Sequence, residues 1–269
     1  MNDMQDPPVL ELRAISKSYG AVKALSEVDL SIRAAEVVAL VGDNGAGKST
    51  LIKTIAGAVP RDSGIMSVSG HEVFPRTPMD SVRLGIATVY QDLALCDNLD
   101  VVSNLFLGRE MSNGPVLRRL DMEEIGVGLL RRLSVKVKDL RVPVAALSGG
   151  QRQSVAIARS LLGDPRLVIL DEPTAALGIE QTAEVLALVD RLRAEGHAVL
   201  MISHNLADVF DVADRIVCLR LGRNTAEFRT DQATEEEVVA AITGARDSSA
   251  ERRRVSRRER REHLEEGTE

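Results

Sequence analysis

The run Val37-Val38-Ala39-Leu40-Val41, followed at once by Gly42-Asp43-Asn44-Gly45-Ala46-Gly47-Lys48-Ser49-Thr50, constrains this chain more than any other feature. An unbroken apolar run this short, bounded by glycine, predicts a strand buried on both faces rather than a half-exposed one. Beyond it, Leu51, Ile52, Ile55 and Ala56 recur at helical spacing until Gly57 and Pro60 stop the helix. Strand, glycine-rich loop and helix in that order form a phosphate cradle. The glycines let successive N–H groups turn inward, and the helix N-terminus adds its partial positive charge. In the Gly42-x4-Gly47-Lys48-Ser49 pattern, Lys48 has the reach for β and γ phosphates, and the Ser49 hydroxyl is a ligand for Mg²⁺.

A second apolar run, Leu167-Val168-Ile169-Leu170, delivers Asp171 and Glu172 at its C-terminal end, the edge where open α/β sheets place their ligands. Neighbouring residues on a strand point to opposite faces. The two acids can therefore serve one site only if the strand ends there, and Pro173 supports that. Asp171 would then support the metal, and Glu172 would orient or deprotonate an attacking water. Ser148-Gly149-Gly150, before a helix expected to begin near Gln151, make a second N-terminal anion site.

The rest of the chain organises around these runs. Leu10–Ala14 and Val28–Ile32 alternate and predict a partly exposed antiparallel sheet. From Asp92 to Pro165 the pattern turns helical, with stretches at Val101–Leu107, Met122–Leu133 and Gln151–Leu162 and loops at Ser112–Pro115 and Arg141–Pro143. A helix over about Ile179–Glu195 and strands at Ala198–Ser203 and Arg215–Leu219 follow. The fold class is therefore α/β: a P-loop core of mostly parallel sheet with flanking helices, an antiparallel β subdomain and an inserted helical subdomain at about 92–165. One domain is expected over 9–246, after a tail at 1–8. The Arg- and Glu-rich segment 247–269 has too few apolar residues to bury a face and reads as a solvated helix or disordered tail.

Composition narrows the alternatives. A net charge of −6 gives no basic footprint for nucleic acid. Cys96 and Cys218 are the only cysteines and lack metal-ligand spacing, so both read as small buried hydrophobes. With 2% aromatics and no Trp, the core must be aliphatic. The N-terminus shows neither the basic nor the apolar region of a signal peptide, and no apolar run approaches the ~20 residues that span a bilayer. The chain is expected to stay inside the cell and to reach a membrane only through a partner. His71, His197 and His263 have no motif around them and read as surface residues.

The P-loop, the acidic strand and Leu147-Ser148-Gly149-Gly150-Gln151 together resemble the ATP-binding cassette family, from roughly Val9 to Gly244. The resemblance implies an ATPase using Mg²⁺, with Tyr19 stacking on adenine and Gln91 contacting the metal or the lytic water. His204 would contact the γ-phosphate, and Ser148, Gly149, Gly150 and Gln151 would face the ATP held by a second copy. It thus implies a homodimer, a membrane permease, a separate solute-binding protein, and a peripheral place on the cytoplasmic side of the inner membrane. Gly178 stands where the family usually has Asp. Pro173-Thr174-Ala175-Ala176-Leu177-Gly178, the Gly42–Ser49 loop and Ile202-Ser203-His204-Asn205 are similar to the ATPases of bacterial fructose, ribose and xylose importers. The competing expectations are an importer ATPase for a non-sugar solute, and a soluble ATPase of the same superfamily acting on DNA or ribosomes. A P-loop kinase or GTPase would not require Leu147–Gln151.

Overall fold

The computed structural model describes residues 7–137 and 139–245. The charged tail from Asp247, including Arg252–Arg261 and His263, lies outside the described residues, as do the first six.

The chain runs β1 (Leu10–Tyr19), β2 (Val22–Ile32), β3 (Val37–Gly42), α1 (Lys48–Ile55), β4 (Ser63–Val68), β5 (His71–Val73), α2 (Pro78–Arg83) and β6 (Ile86–Val89). There follow α3 (Val101–Phe106), β7 (Ser112–Asn113), β8 (Val116–Leu117), α4 (Arg119–Arg132), α5 (Gly149–Leu161) and β9 (Leu167–Asp171). The last elements are α6 (Ile179–Ala194), β10 (Ala198–Ile202), α7 (Leu206–Val212), β11 (Arg215–Arg220), β12 (Arg223–Arg229) and α8 (Glu235–Thr243).

The central sheet has the order β12-β11-β3-β10-β9-β6. Five of its strands are parallel and β12 pairs antiparallel at the edge. The continuous apolar runs are β3, β9 and β10, and Val37–Leu40, Leu167–Leu170 and Val199–Met201 are fully buried, as strands covered on both faces must be. Register aligns their exits: Ile202 pairs with both Leu40 and Asp171, and Val89 pairs with Leu170. Four adjacent parallel strands, β3, β10, β9 and β6, thus end at one edge and release their loops side by side.

A second sheet, β2-β1-β4-β5, is antiparallel. Its inner residues, among them Leu10, Leu12, Ile15, Val28 and Met66, share a core with α1 and with Leu40, Ile169 and Leu200 of the central sheet. Arg215 on β11 ties the sheets together, donating to the Ser31 carbonyl at 3.1 Å and to Glu36 at 2.7 Å. Between β6 and β9 the chain builds α3, α4 and α5, packed through Val102, Leu105, Met122, Leu130 and Ile157 on the other face of the central sheet.

Several expectations change. Ser112–Pro115 is not a plain loop: Ser112 and Asn113 pair with Leu117 and Val116, and Gly114 makes the turn with a positive φ of 64°. Helix α5 starts at Gly149, two residues before Gln151, because Ser148 already caps it. Cys218 is fully buried, but Cys96 is only partly so. His71 is exposed, whereas His197 is 8% exposed, with Nδ1 2.7 Å from the Pro165 carbonyl. It fills the gap where the chain enters β10 and is a structural residue. Among the described residues, no helix is long and apolar enough to cross a membrane.

Candidate functional site

The loop between β3 and α1 owes its path to two glycines. At Gly42 a Cβ would stand 2.3 Å from the Leu219 carbonyl oxygen, so β11 can approach only a residue without a side chain. At Gly47, where φ is 106°, a Cβ would meet the Ala24 carbonyl oxygen at 2.6 Å. Gly47 is also the N-cap of α1 and provides no side-chain acceptor, so the first-turn N–H groups of that helix remain donors for an anion. The Lys48 ammonium folds back over the loop, donating to the carbonyls of Gly42 at 2.5 Å and Asp43 at 3.1 Å.

This loop is one wall of a cleft of about 500 Å³. Asp43, Asn44, Gly45, Ala46, Gly47, Lys48, Ser49 and Thr50 line it, and so do Gln91, Asp171 and Glu172 from the ends of β6 and β9. The chain thus brings together residues from three separate stretches of sequence. Burial raises the Asp171 pKa above its ordinary value, the Glu172 carboxylate raises it further, and Lys48 and Lys53 oppose the shift. Two adjoining acids, one partly desolvated, beside a hydroxyl and an amide form an oxygen donor set suited to a hard divalent cation. Ser49, Asp171 and Gln91 fit Mg²⁺ on those grounds.

The geometry at Glu172 answers the requirement that both acids serve one site. β9 ends at Asp171, and Glu172 takes a left-handed conformation with φ of 52° while its N–H still bonds the Ile202 carbonyl at 2.9 Å. The chain therefore turns at Glu172 rather than sending its side chain to the opposite face. A left-handed backbone is costly for a residue with a side chain, and here it falls at the residue that lines the cleft beside Asp171. The Glu172 carboxylate lies 2.6 Å from His204 Nδ1, on the loop leaving β10. His204 is itself 73% exposed, so the pair spans from the cleft to its rim.

Tyr19 closes β1 opposite Val22, which lines the cleft, and its half-exposed ring faces the Lys17 ammonium 5.7 Å from the centroid. Ser148, Gly149, Gly150 and Gln151 do not line this cleft. They form the start of α5, where the Ser148 hydroxyl accepts from Gln151 N–H and the Gln151 side chain accepts from Ser148 N–H. Their glycines serve close packing: a Cβ on Gly150 would reach Gln181 Cβ at 2.9 Å, and one on Gly149 would reach Leu177 at 3.1 Å. The segment that follows Gln91 is held to α5 by Arg159, which donates to the carbonyls of Leu93 and Ala94 at 2.8 and 2.7 Å. The sequence reading missed Val22, Lys23, Ala24, Ile202 and Leu221, which complete the cleft wall. For Leu221 a signal existed in the Leu221-Gly222 turn between two strand-like runs.

Comparison with known proteins agrees with this architecture. The ABC transporter family pattern matches residues 25–175. The chain is 43% identical over 235 residues to the xylose/arabinose import ATP-binding protein XylG of Sulfolobus acidocaldarius, covering 87% of this chain and 94% of that one. It is 41% identical over 256 residues to the fructose import ATP-binding protein FrcA of Rhizobium meliloti, covering 92% and 98%. Among solved structures, a nucleotide-free ATP-binding cassette from an ABC transporter superposes with a TM-score of 0.74 at 27% identity, covering 88% of this chain and 95% of that chain. On the phosphate loop, the two acids at the end of β9 and these relatives together, the chain belongs to the ABC transporter family as one of its ATP-binding cassettes.

Proposed function

We propose that this protein is the ATP-hydrolysing subunit of a monosaccharide importer, working on the cytoplasmic side of the inner membrane against a permease that receives solute from a separate binding protein. The observation that carries the chemistry is the convergence of Lys48, Ser49, Asp171, Glu172 and Gln91 on one cleft, with His204 against Glu172. The sugar class rests on relatives named for import of xylose/arabinose, fructose and ribose.

In this reading the loop amides and Lys48 hold the β and γ phosphates, and Tyr19 stacks on the base. Ser49, Asp171 and Gln91 would hold Mg²⁺, which would supply positive charge to offset that of the phosphate oxygens. Glu172 takes the proton of that water, and His204 orients the Glu172 carboxylate while reaching toward the γ-phosphate. The start of α5 stands apart from the cleft, so Ser148, Gly149, Gly150 and Gln151 serve the nucleotide of a second copy. ATP can then drive the permease only by binding the closed pair more tightly than the open one.

The test is capture of Glu172→Gln protein, held with Mg-ATP, from detergent-solubilised membranes of its host, followed by sugar uptake in cells lacking the gene. The expected result is a polytopic permease in the captured complex and loss of uptake of one monosaccharide. Capture of soluble or nucleic-acid-associated partners alone would overturn the importer reading and leave the ATPase chemistry standing.

A further inference from the structure

Beyond the strand ends, the two loops that carry Glu172 and His204 are joined a second time, away from the cleft. The Thr174 hydroxyl donates to a carboxylate oxygen of Asp208 at 2.6 Å. Thr174 is 9% exposed and Asp208 6%, so the bond is shielded from water. A buried carboxylate costs several kcal/mol unless it is paired. The first turn of α7 suits a carboxylate, but burial there leaves it needing a donor, and the Thr174 hydroxyl supplies one.

The location gives this bond its meaning. Sheet pairing, continued by the Glu172 N–H on the Ile202 carbonyl, fixes the backbones of β9 and β10 as far as Glu172 and Ile202, but Thr174 and His204 lie past that point. Past it, the Glu172 loop turns back on itself, with Ala175 N–H bonding the Glu172 carbonyl at 3.2 Å and Leu177 N–H the Thr174 carbonyl at 3.3 Å. The His204 loop is held on its own side, with Asn205 N–H on the Ser203 hydroxyl at 3.0 Å and the Asn205 side chain capping α7. Each loop is thus braced by its own hydrogen bonds, and Thr174–Asp208 ties the Glu172 loop to the helix that follows His204. We infer that the Thr174–Asp208 hydrogen bond is a positioning strap that sets the distance and angle between the Glu172 carboxylate and the His204 imidazole, and so determines kcat rather than nucleotide affinity. Neither residue lines the cleft. Both act through others, and the strap rests on the assignment of Glu172 as the base.

Steady-state hydrolysis of Mg-ATP by the purified full chain tests it. Thr174→Val should lower kcat about tenfold with KM within about twofold, since the geometry of the base and not phosphate binding is disturbed. Thr174→Ser, which keeps the hydroxyl, should restore kcat, and Asp208→Asn, which keeps an acceptor oxygen, should retain it. Replacing both partners by apolar residues, Thr174→Val with Asp208→Leu, removes the unpaired buried charge and should bring the melting temperature back toward wild type while kcat stays low. That separation of stability from turnover is what a purely structural bond would not give. A double variant with wild-type kcat, a raised KM at unchanged kcat, or a tenfold loss in Asp208→Asn would each overturn the strap. Glu172→Gln measured alongside distinguishes the two failures. If it hydrolyses ATP at the wild-type rate, the underlying assignment of Glu172 falls. If it is inactive while Thr174→Val turns over normally, only the strap falls.

Discussion

Among the described residues, two helix N-termini are built from glycine-rich sequence, and they are finished in opposite ways. At α1 the N-cap is a glycine with no side-chain acceptor, so the first-turn N–H groups have no internal partner, and Lys48 and Ser49 stand beside them. At α5 the N-cap is Ser148, and a reciprocal capping box with Gln151 already satisfies two donors from within the chain. Gln151 is further fixed by donating to the Lys136 carbonyl at 2.8 Å. The first end is therefore built to wrap an anion and the second to present a firm edge. An uncapped helix start leaves its free energy to be gained from ligand, whereas a capped one is stable on its own and contributes mainly through geometry.

The sharpest way to break this contrast is to place the two ends in different copies. Lys48→Ala removes the phosphate ligand from the cleft, and Ser148→Arg obstructs the edge at α5. Each variant alone should lose nearly all ATP hydrolysis. Mixed after dissociation, they should regain part of it, because a mixed pair contains one site formed from an intact cleft and an intact edge. Persistent inactivity of the mixture, with each variant still folded, would show that the α5 end does not complete a partner's site. Substantial activity of Ser148→Arg alone would show that the cleft needs no second end.

The same contrast explains what was legible beforehand. Functions carried by contiguous residues with backbone requirements showed in the sequence: the β3 run, the Gly42–Thr50 loop, and the run ending in Asp171-Glu172. The need for the chain to turn at Glu172 was also foreseeable, because two adjacent acids cannot otherwise share a face, and the positive φ at Glu172 is how the protein meets it. What escaped was structure defined by partners distant in sequence. β4 reads Ser-Gly-Ile-Met-Ser-Val, too mixed to stand out, and is a strand because β1 and β5 flank it. His197 is buried because Pro165, a distant residue, comes to meet it. Two helices did leave signals that went unread: Thr77 with Asp80, and Thr234 with Glu237, are capping boxes at α2 and α8.

A smaller effect probes the charge balance of the cleft. The folded-state pKa of Asp171 is raised above its ordinary 3.8 by burial and by Glu172. Between that ordinary value and the raised one, the folded protein keeps a proton that the unfolded chain has lost, so stability falls as pH rises through the window. Above the raised pKa the penalty is present in full. Asp171→Asn cannot titrate and should escape it. Without nucleotide or Mg²⁺, its melting temperature should exceed wild type most at neutral pH, and the difference should narrow as the solution is acidified. A difference that stays constant, or widens toward acid, would contradict a desolvated carboxylate at this position.

The smallest expected effect lies next to the α5 edge. Gly178 is the N-cap of α6, with φ of −76° and ψ of 167°, and it supplies no side-chain cap. Its conformation is open to any residue, and a Cβ there would meet nothing within 4 Å. Glycine is thus not required by the backbone. Aspartate at Gly178 would place a carboxylate where the free N–H groups of the first turn can bond it, and would complement the helix dipole. Because glycine is already a fair N-cap, Gly178→Asp should stabilise the fold by only a few tenths of a kcal/mol, about 0.3. Chemical denaturation of the two proteins side by side would resolve it as a shifted midpoint at unchanged slope. The informative comparison is with turnover, since Gly178 follows Leu177, which lies against Gly149 at the capped end of α5. If the added charge raises stability and leaves hydrolysis unchanged, the glycine at this turn is neutral toward the closed pair. If hydrolysis falls while stability rises, residue 178 faces the partner copy, and a side chain there reaches the interface that Ser148 edges.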